Sequence, residues 1–394
     1  QPARIQSRDG AGTVLHFIDT TGPGGGETIF LQVAAGMRER GWHPRTIVLG
    51  PGWVLDNANA LNLPVDQVST SGRFDVGYIR RIRQLTLEHD VDLIHAHLFS
   101  PAVYASLVGA LTGTPVVATF HGASDTDRGG AMRDLRYRLI SHQAHVVCVS
   151  ESLRTAARQL PGLRKAAVSV VPNGIDTVLF GRADGGAARR SLGVADSDVL
   201  VGAVGNVREA KDFGTLLRAA ALLAPDPRIR FAIIGERTEP LHGELLAIRN
   251  ALNLGDRVTF HGFRTDVPEL MAAFDLLAIS SSSEGFSLAA VQAMAAGRAV
   301  VATRSGGPEE IITSEIDGIL VPVSDPAALA GAIRRVADDP ALRDRLGSAA
   351  RRTAADRFSM SAMLDGYERI YREATGSGTC EPSGVRAPAE NTFS

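Results

Sequence analysis

The chain has 394 residues, 44% of them hydrophobic and 21% charged, which supplies apolar surface for two or three globular cores. Its 41 Lys and Arg against 43 Asp and Glu leave a net charge of −2, which excludes the global field of a nucleic-acid coat or a strongly polybasic membrane binder. The absence of any apolar run of about 18 residues excludes a spanning helix.

From the N-terminus, the polar stretch Gln1 to Gly12 shows no signal peptide. Val14–Asp19 is a short apolar run, followed by a glycine-rich turn and helical spacing from Glu27 to Gly41. Arg45–Leu49, Val91–His95, Pro115–Thr119 and His145–Val149 read as further buried strands, each followed by helical spacing. Near-continuous Val/Ile/Leu runs alternating with helices predict parallel sheets covered on both faces. The pattern breaks at Gly181–Arg190 and restarts with strands at Val199–Val204, Arg230–Ile234, Val258–Phe260, Leu276–Ile279, Ala299–Thr303 and Ile319–Val321. Helices are expected at Phe213–Ala224, Leu241–Leu252 and Leu288–Ala296, and from Pro326 to about Ala374.

The expected architecture is α/β, with two doubly wound domains. Residues 1–182 form the first and 183–355 the second, 356–375 is a helix that can return to the first, and 376–394 is a disordered tail. Only Cys148 and Cys380 are present, in an apolar strand and in the tail, so a reducing cytosol, at most at the inner face of a membrane, is the expected compartment. Lys165 and Lys211 are the only lysines, a bias of GC-rich, bacterial-type coding.

Open α/β domains place ligands at the carboxyl ends of their strands, so the turns after strands carry the information. Gly24, Gly25 and Gly26 follow the first strand; such a turn either admits a phosphate or sugar to backbone N–H groups or merely needs positive φ. The second strand ends Val48-Leu49-Gly50 without the acid that a dinucleotide fingerprint requires, which disfavours a nicotinamide enzyme. His95, His97 and His121 lie at strand ends and can converge as metal ligands, as sugar or phosphate contacts, or as structural histidines; contact by His121 is the preferred reading, His95 alone reads as structural, and no metal site is expected. After Val199–Val204 come Arg208 and Lys211, cations suited to a diphosphate or to a solvated face. Glu284 precedes a helix start at Gly285 to Leu288, as an acceptor for sugar hydroxyls or as a plain cap. Ser305-Gly306-Gly307-Pro308-Glu309-Glu310 repeats the arrangement one strand later.

Taken together and in order, these segments resemble glycosyltransferase family 4, retaining enzymes of the two-domain GT-B fold. The resemblance rests on Gly24-Gly25-Gly26-Glu27, Thr119-Phe120-His121-Gly122, Val171 to Asp176, Gly205 to Lys211, Ile234-Gly235-Glu236, Val258 to Phe263, and Glu284-Gly285-Phe286 through Gly306-Gly307. It implies that Lys211 binds the donor diphosphate, and that Arg208 substitutes for the arginine which the family carries where this chain has Asn206. Glu284 corresponds to the first of a pair of glutamates and contacts the donor sugar. The second falls on Gln292, which keeps an acceptor for the nucleotide ribose but no charge. Glu310 matches the acid after the second Gly-Gly, His261, Gly262 and Phe263 the loop beside the base, and His121 a histidine on the sugar. Gly285, Phe286, Ser287 and Leu288 supply the helix start.

The implied activity is retaining, metal-independent transfer of a hexosyl group from a nucleotide diphosphate sugar to a saccharide or lipid-linked acceptor, without a cofactor and in cell-envelope polysaccharide synthesis. Arg80, Arg81 and Arg83, and Arg128, Arg133, Arg136 and Arg138, are either solvated faces or a contact with an anionic membrane. A GT-B epimerase, a glycoside phosphorylase, a non-catalytic nucleotide-sugar binder and a metal hydrolase are the alternatives.

Overall fold

The computed structural model describes residues 11–70 and 75–376. Two wholly parallel sheets organise these residues. The first has strands β1 (Thr13–Phe17), β2 (His43–Val48), β3 (Val65–Gln67), β4 (Leu93–His97), β5 (Val116–Phe120), β6 (Ala144–Cys148) and β7 (Val168–Val170), in the order β3-β2-β1-β4-β5-β6-β7. The second has β8 (Val199–Val204), β9 (Ile229–Ile234), β10 (Val258–Phe260), β11 (Leu276–Ile279), β12 (Ala299–Thr303) and β13 (Ile319–Val321), in the order β10-β9-β8-β11-β12-β13. Each sheet grows outward from its first strand, then reverses direction. The reversal lies between β1 and β4 in one and between β8 and β11 in the other. Loops diverge at such a switch point and leave a crevice beyond the carboxyl ends of the strands.

The central strands are buried along their whole length because helices cover both faces; β1, β4, β5, β11 and β12 are buried at every residue and apolar apart from Thr13, His16, His95, His97, Thr119 and Thr303. The short strands β3 and β7 have no such run and were not expected from the sequence. The fourth strand starts at Leu93 rather than Val91, because the side chain of Asp92 accepts the Thr13 N–H at 2.8 Å and takes the place of a ladder bond. This two-residue shift puts both histidines inside β4, where the expected strand Val91–His95 ended on His95 and left His97 beyond it.

The chain crosses between the two units twice, side by side. Ile175 N–H donates to Phe358 O at 2.9 Å and Met360 N–H donates to Ile175 O at 2.8 Å. The helix Thr177–Arg182 already sits on the second unit, where Arg351 donates to Gly181 O at 2.7 Å. The first unit is therefore left near Asp176, where the Asp176 carboxylate caps the new helix, six residues before the compositional break at 182. The last helix, Met360–Thr375, returns to the first sheet. Met363, Leu364, Tyr367, Ile370 and Tyr371 pack with Val14, Ile29, Leu93 and Val117. Each fully buried large side chain of this kind stabilises the fold by ~1.5–3 kcal/mol. At Gly36, on the helix Gly25–Glu39, an added Cβ would lie 2.5 Å from Leu364 Cδ1, so the two helices meet where one has no side chain. Arg40 pins the rim through Asp365 and Glu368 at 2.6 and 2.8 Å. Of the tail expected at 376–394, residues 377–394 and with them Cys380 lie outside the described residues. Cys148 is a free buried thiol, pushed up to about 12 by burial. No helix of the described residues is long and apolar enough to cross a membrane.

Candidate active site

On the second unit, β8 runs into Gly205, whose φ of +156° and missing Cβ make room for Lys211; a Cβ there would lie 2.8 Å from Lys211 Cε. A short turn, Glu209–Lys211, ends on Asp212 at φ +43°, which caps the helix Phe213–Leu223 by accepting the Thr215 N–H. Lys211 is thus fixed at the root and aimed across the switch point. Its Nζ lies 2.5 Å from Glu284 Oε1, and Ser281 Oγ donates to the same oxygen at 2.7 Å. The Glu284 backbone is locked to the next turn, with its N–H on Ser305 O and its O accepting Gly307 N–H, both at 2.8 Å. The two side chains retain 25% and 9% exposure, so the pair is reachable from outside yet partly desolvated. Arg208 is exposed beside it.

A Cβ on Gly235 would lie 2.0 Å from Gly205 O, so the turns after β8 and β9 touch. Gly235 N–H donates to Gly262 O at 2.9 Å, which brings the turn after β10 alongside. His261 meets Thr259 Oγ1 at 2.7 Å; burial, then Arg264 and Arg237, hold its pKa below the usual range. Phe263 is 44% exposed at this edge, an unusual position for a phenyl ring. Beyond Glu284, Phe286 packs edge-on against Phe358, and Ser287 occupies the cap position of the helix Leu288–Ala295 with its buried Oγ unpartnered. Gln292 is half-buried on that helix.

The first unit presents the N-terminus of the helix Gly25–Glu39 to the same place. Glu27 folds back beneath Gly24, where an added Cβ would lie 2.1 Å from Glu27 Oε2. Gly25 faces Leu288 and Gly26 faces the His121 ring, with 3.3 and 3.4 Å to an added Cβ. A Cβ on Gly285 would lie 2.5 Å from His121 O. Two of these contacts, Gly25 to Leu288 and Gly285 to His121 O, join the two units, so the glycines of two turns let them close, and His121 stands at the seam. Asp125, which is 3% exposed, ties this corner by accepting the N–H groups of Phe99, His121 and Gly122 at 2.9, 2.7 and 3.2 Å. Burial holds its pKa up at about 6, against those bonds.

Two residues expected to face the donor are used otherwise. Asn206 donates to Pro23 O at 2.8 Å and accepts the Glu236 N–H at 3.0 Å, so it bridges the units. Glu310 accepts the N–H groups of Glu151 and Ser152, each at 2.6 Å, and caps the helix Glu151–Gln159 of the opposite unit. A carboxylate at a helix N-terminus is a favourable pairing, which accounts for its turning away from the turn that carries it. The sequence singled out both residues as donor contacts and gave no sign of these bridging roles, nor of the parts played by Ser281 and Asp125.

Among the described residues, one trio has the makings of a metal site: His16, His95 and His97 offer ring nitrogens within 4.8 Å of one another. The fit is poor. Both nitrogens of His95 are taken, by Tyr371 OH at 2.5 Å and Thr119 Oγ1 at 2.8 Å. A tetrahedral ion at ~2.0–2.1 Å from each nitrogen would need them within roughly 3.4 Å of one another. Burial lowers the pKa of all three, His16 to about 3, so the rings are neutral. His97 bonds instead to His121, as described below.

Of the arginine groups, Arg81 pairs with Glu88 at 3.7 Å and Arg138 with Asp134 at 3.1 Å. Arg133 stacks 4.2 Å above Phe99, while Arg80, Arg83 and Arg128 are exposed.

Two parallel-sheet units with a shared crevice, a lysine–glutamate pair on one lip and a helix N-terminus on the other define a two-domain enzyme of the GT-B class. Comparison with known proteins agrees. Residues 186–353 match the model "Glycosyl transferases group 1", and residues 23–179 match "Glycosyltransferase Family 4". The chain is 30% identical over 366 residues to D-inositol 3-phosphate glycosyltransferase of Salinispora arenicola, covering 86% of this chain and 79% of that one. It is 28% identical over 360 residues to the lipopolysaccharide core biosynthesis glycosyltransferase LpsD of Rhizobium meliloti, covering 88% and 95%. Among solved structures, HepE of Anabaena in complex with UDP-glucose superimposes with a TM-score of 0.84 at 25% identity, covering 92% of this chain and 99% of that one. The chain belongs to glycosyltransferase family 4.

Proposed function

We propose that this glycosyltransferase takes its sugar from a nucleotide diphosphate sugar held by residues 183–355 and passes it, with retention of anomeric configuration and without a metal on the diphosphate, to a saccharide or lipid-linked hydroxyl presented by residues 1–182. The observation that carries the reading is the Lys211–Glu284 pair at 2.5 Å on the rim of the second switch point. A diphosphate is a stronger partner for Lys211 than one carboxylate, and Arg208 stands exposed next to it. Once Lys211 turns to phosphate, Glu284, still held by Ser281, is an acceptor pair for sugar hydroxyls. UDP-glucose bound to the similar HepE supports a donor of this class.

Negative charge develops on the diphosphate as the glycosidic C–O bond breaks. Lys211, Arg208 and the N–H groups at the starts of helices Leu288–Ala295 and Gly25–Glu39 stabilise it. In this reading no side chain serves as a covalent nucleophile, so the acceptor hydroxyl attacks from the face the leaving group vacates, through an oxocarbenium-like state, and its proton passes to the departing diphosphate oxygen. The closed seam between Gly26, His121 and Gly285 excludes water that would hydrolyse the donor. His261, Gly262 and Phe263 flank the base, Gln292 accepts from the ribose, and His121 contacts the sugar. The exposed Met132 and Leu135, with Arg128 and Arg138 near them, fit a lipid-linked acceptor at a membrane surface.

The test is transfer measured with a nucleotide-sugar panel, the product anomer being read by NMR. Lys211→Ala is expected to lower turnover by ~10²–10³-fold. A near-wild-type rate, or an inverted product, overturns the corresponding part of the reading.

A further inference from the structure

We infer that His97 is a positioning residue for His121: its Nδ1–H donates to His121 Nε2 and leaves the proton of His121 on Nδ1. The inference deepens the reading of His121 as the sugar contact and rests on it. The two nitrogens lie 3.0 Å apart and the rings are stacked at 17°, with centroids 5.3 Å apart. His97 is itself held by His95 at 4.1 Å and by Phe30 edge-on at 5.4 Å, so it has no freedom to turn. The next residue, Leu98, adopts φ +77°, a conformation a bulky side chain resists. It is kept there by its N–H on Thr119 O at 2.9 Å and by the Phe99 N–H on Asp125. Asp125 also holds the His121 N–H, so one carboxylate registers the exits of β4 and β5. Strain of this kind persists where the surroundings over-determine it, and it clusters at functional sites.

The direction of the bond follows from what is left over. His97 Nε2 and His121 Nδ1 are both buried without a partner. Burial pushes the His121 pKa down to about 4 and that of His97 lower than usual, so both rings are neutral and only one of them donates. Either way one N–H is unsatisfied. An orphan donor is least costly where a polar ligand can reach it. His97 is 0% exposed within the core, whereas His121 is only half-buried at the seam, its Nδ1 being covered in this closed arrangement of the two units. The proton therefore belongs on His121 Nδ1, which then donates to a sugar oxygen rather than accepting from a hydroxyl.

The experiment is ¹⁵N-histidine NMR of the whole enzyme at pH 7.5, with His121 assigned by its loss in His121→Gln. The wild type should show His121 protonated at Nδ1. In His97→Leu the Nδ1–H signature should give way to the Nε2–H form or a mixture, and kcat should fall by about 10²-fold with donor KM near wild type. His97→Asn, whose amide can stand where Nδ1 stood, should restore both. A wild-type His121 protonated at Nε2 overturns the inference without any variant, so a misfolded His97→Leu does not protect it. If the tautomer responds to His97 as inferred while His121→Ala transfers sugar at the wild-type rate, the positioning stands and the sugar-contact reading fails.

Discussion

Lys211 and Glu284 are 73 residues apart in the chain and joined at 2.5 Å in the fold. Their type and place were legible in the sequence because a βα turn at a parallel-sheet edge has one destination for its side chains. Their pairing was not, since no local pattern spans that separation. Gln292 stands where the resemblance to family 4 implies a second glutamate, and a neutral acceptor binds a ribose hydroxyl less strongly than a charged one by ~1–2 kcal/mol. Gln292→Glu should therefore tighten the donor complex about tenfold in calorimetry. An unchanged affinity would detach Gln292 from the ribose.

Helices and strands were largely legible from apolar periodicity, and their errors have local causes. The three-residue edge strands β3 and β7 carry no periodic signal, and Asp92 displaces the start of β4. The inter-unit fasteners were hidden for a different reason. Glu310 finds its partner 159 residues away and Asn206 finds its own 183 away, so residues chosen by resemblance as donor contacts hold the units together. Glu310→Ala removes a cap of the kind worth ~1 kcal/mol from the helix Glu151–Gln159 and loosens the seam. It should raise hydrolysis of the donor relative to transfer and expose the Gly306–Gly307 turn to limited proteolysis. If both remain at wild-type levels, the clamp has no part in closure.

At the scale of the whole molecule, four neutral imidazoles cluster next to the site, His16, His95 and His97 buried and His121 half-buried. Their native pKa values lie below the unfolded value of about 6.5. Below that pH the unfolded chain takes up protons that the native state refuses, so stability falls as pH drops, by up to ~1.4 kcal/mol per unit for each ring. The loss continues to about pH 4, where His121 itself protonates in the native state. Asp125, raised to about 6, and Asp19, also raised by burial, work in the opposite sense above their unfolded values, but the four rings outnumber them. The melting temperature should drop steeply from pH 6.5 to 4.5, and His16→Phe should flatten the slope. A flat profile in the wild type would mean that these rings are not buried and neutral. The same cluster joins the last helix to the first sheet through Tyr371 and His95, so its loss on acidification should release that helix early.

The two-unit grip on a pyrophosphate is the claim on which the rest depends, and calorimetric titration of the wild type and Lys211→Ala with UDP-, GDP- and ADP-sugars tests it most directly. One donor should bind the wild type saturably and bind Lys211→Ala at least about tenfold more weakly. Equal affinity in the two proteins, or no donor bound by the wild type, would contradict it.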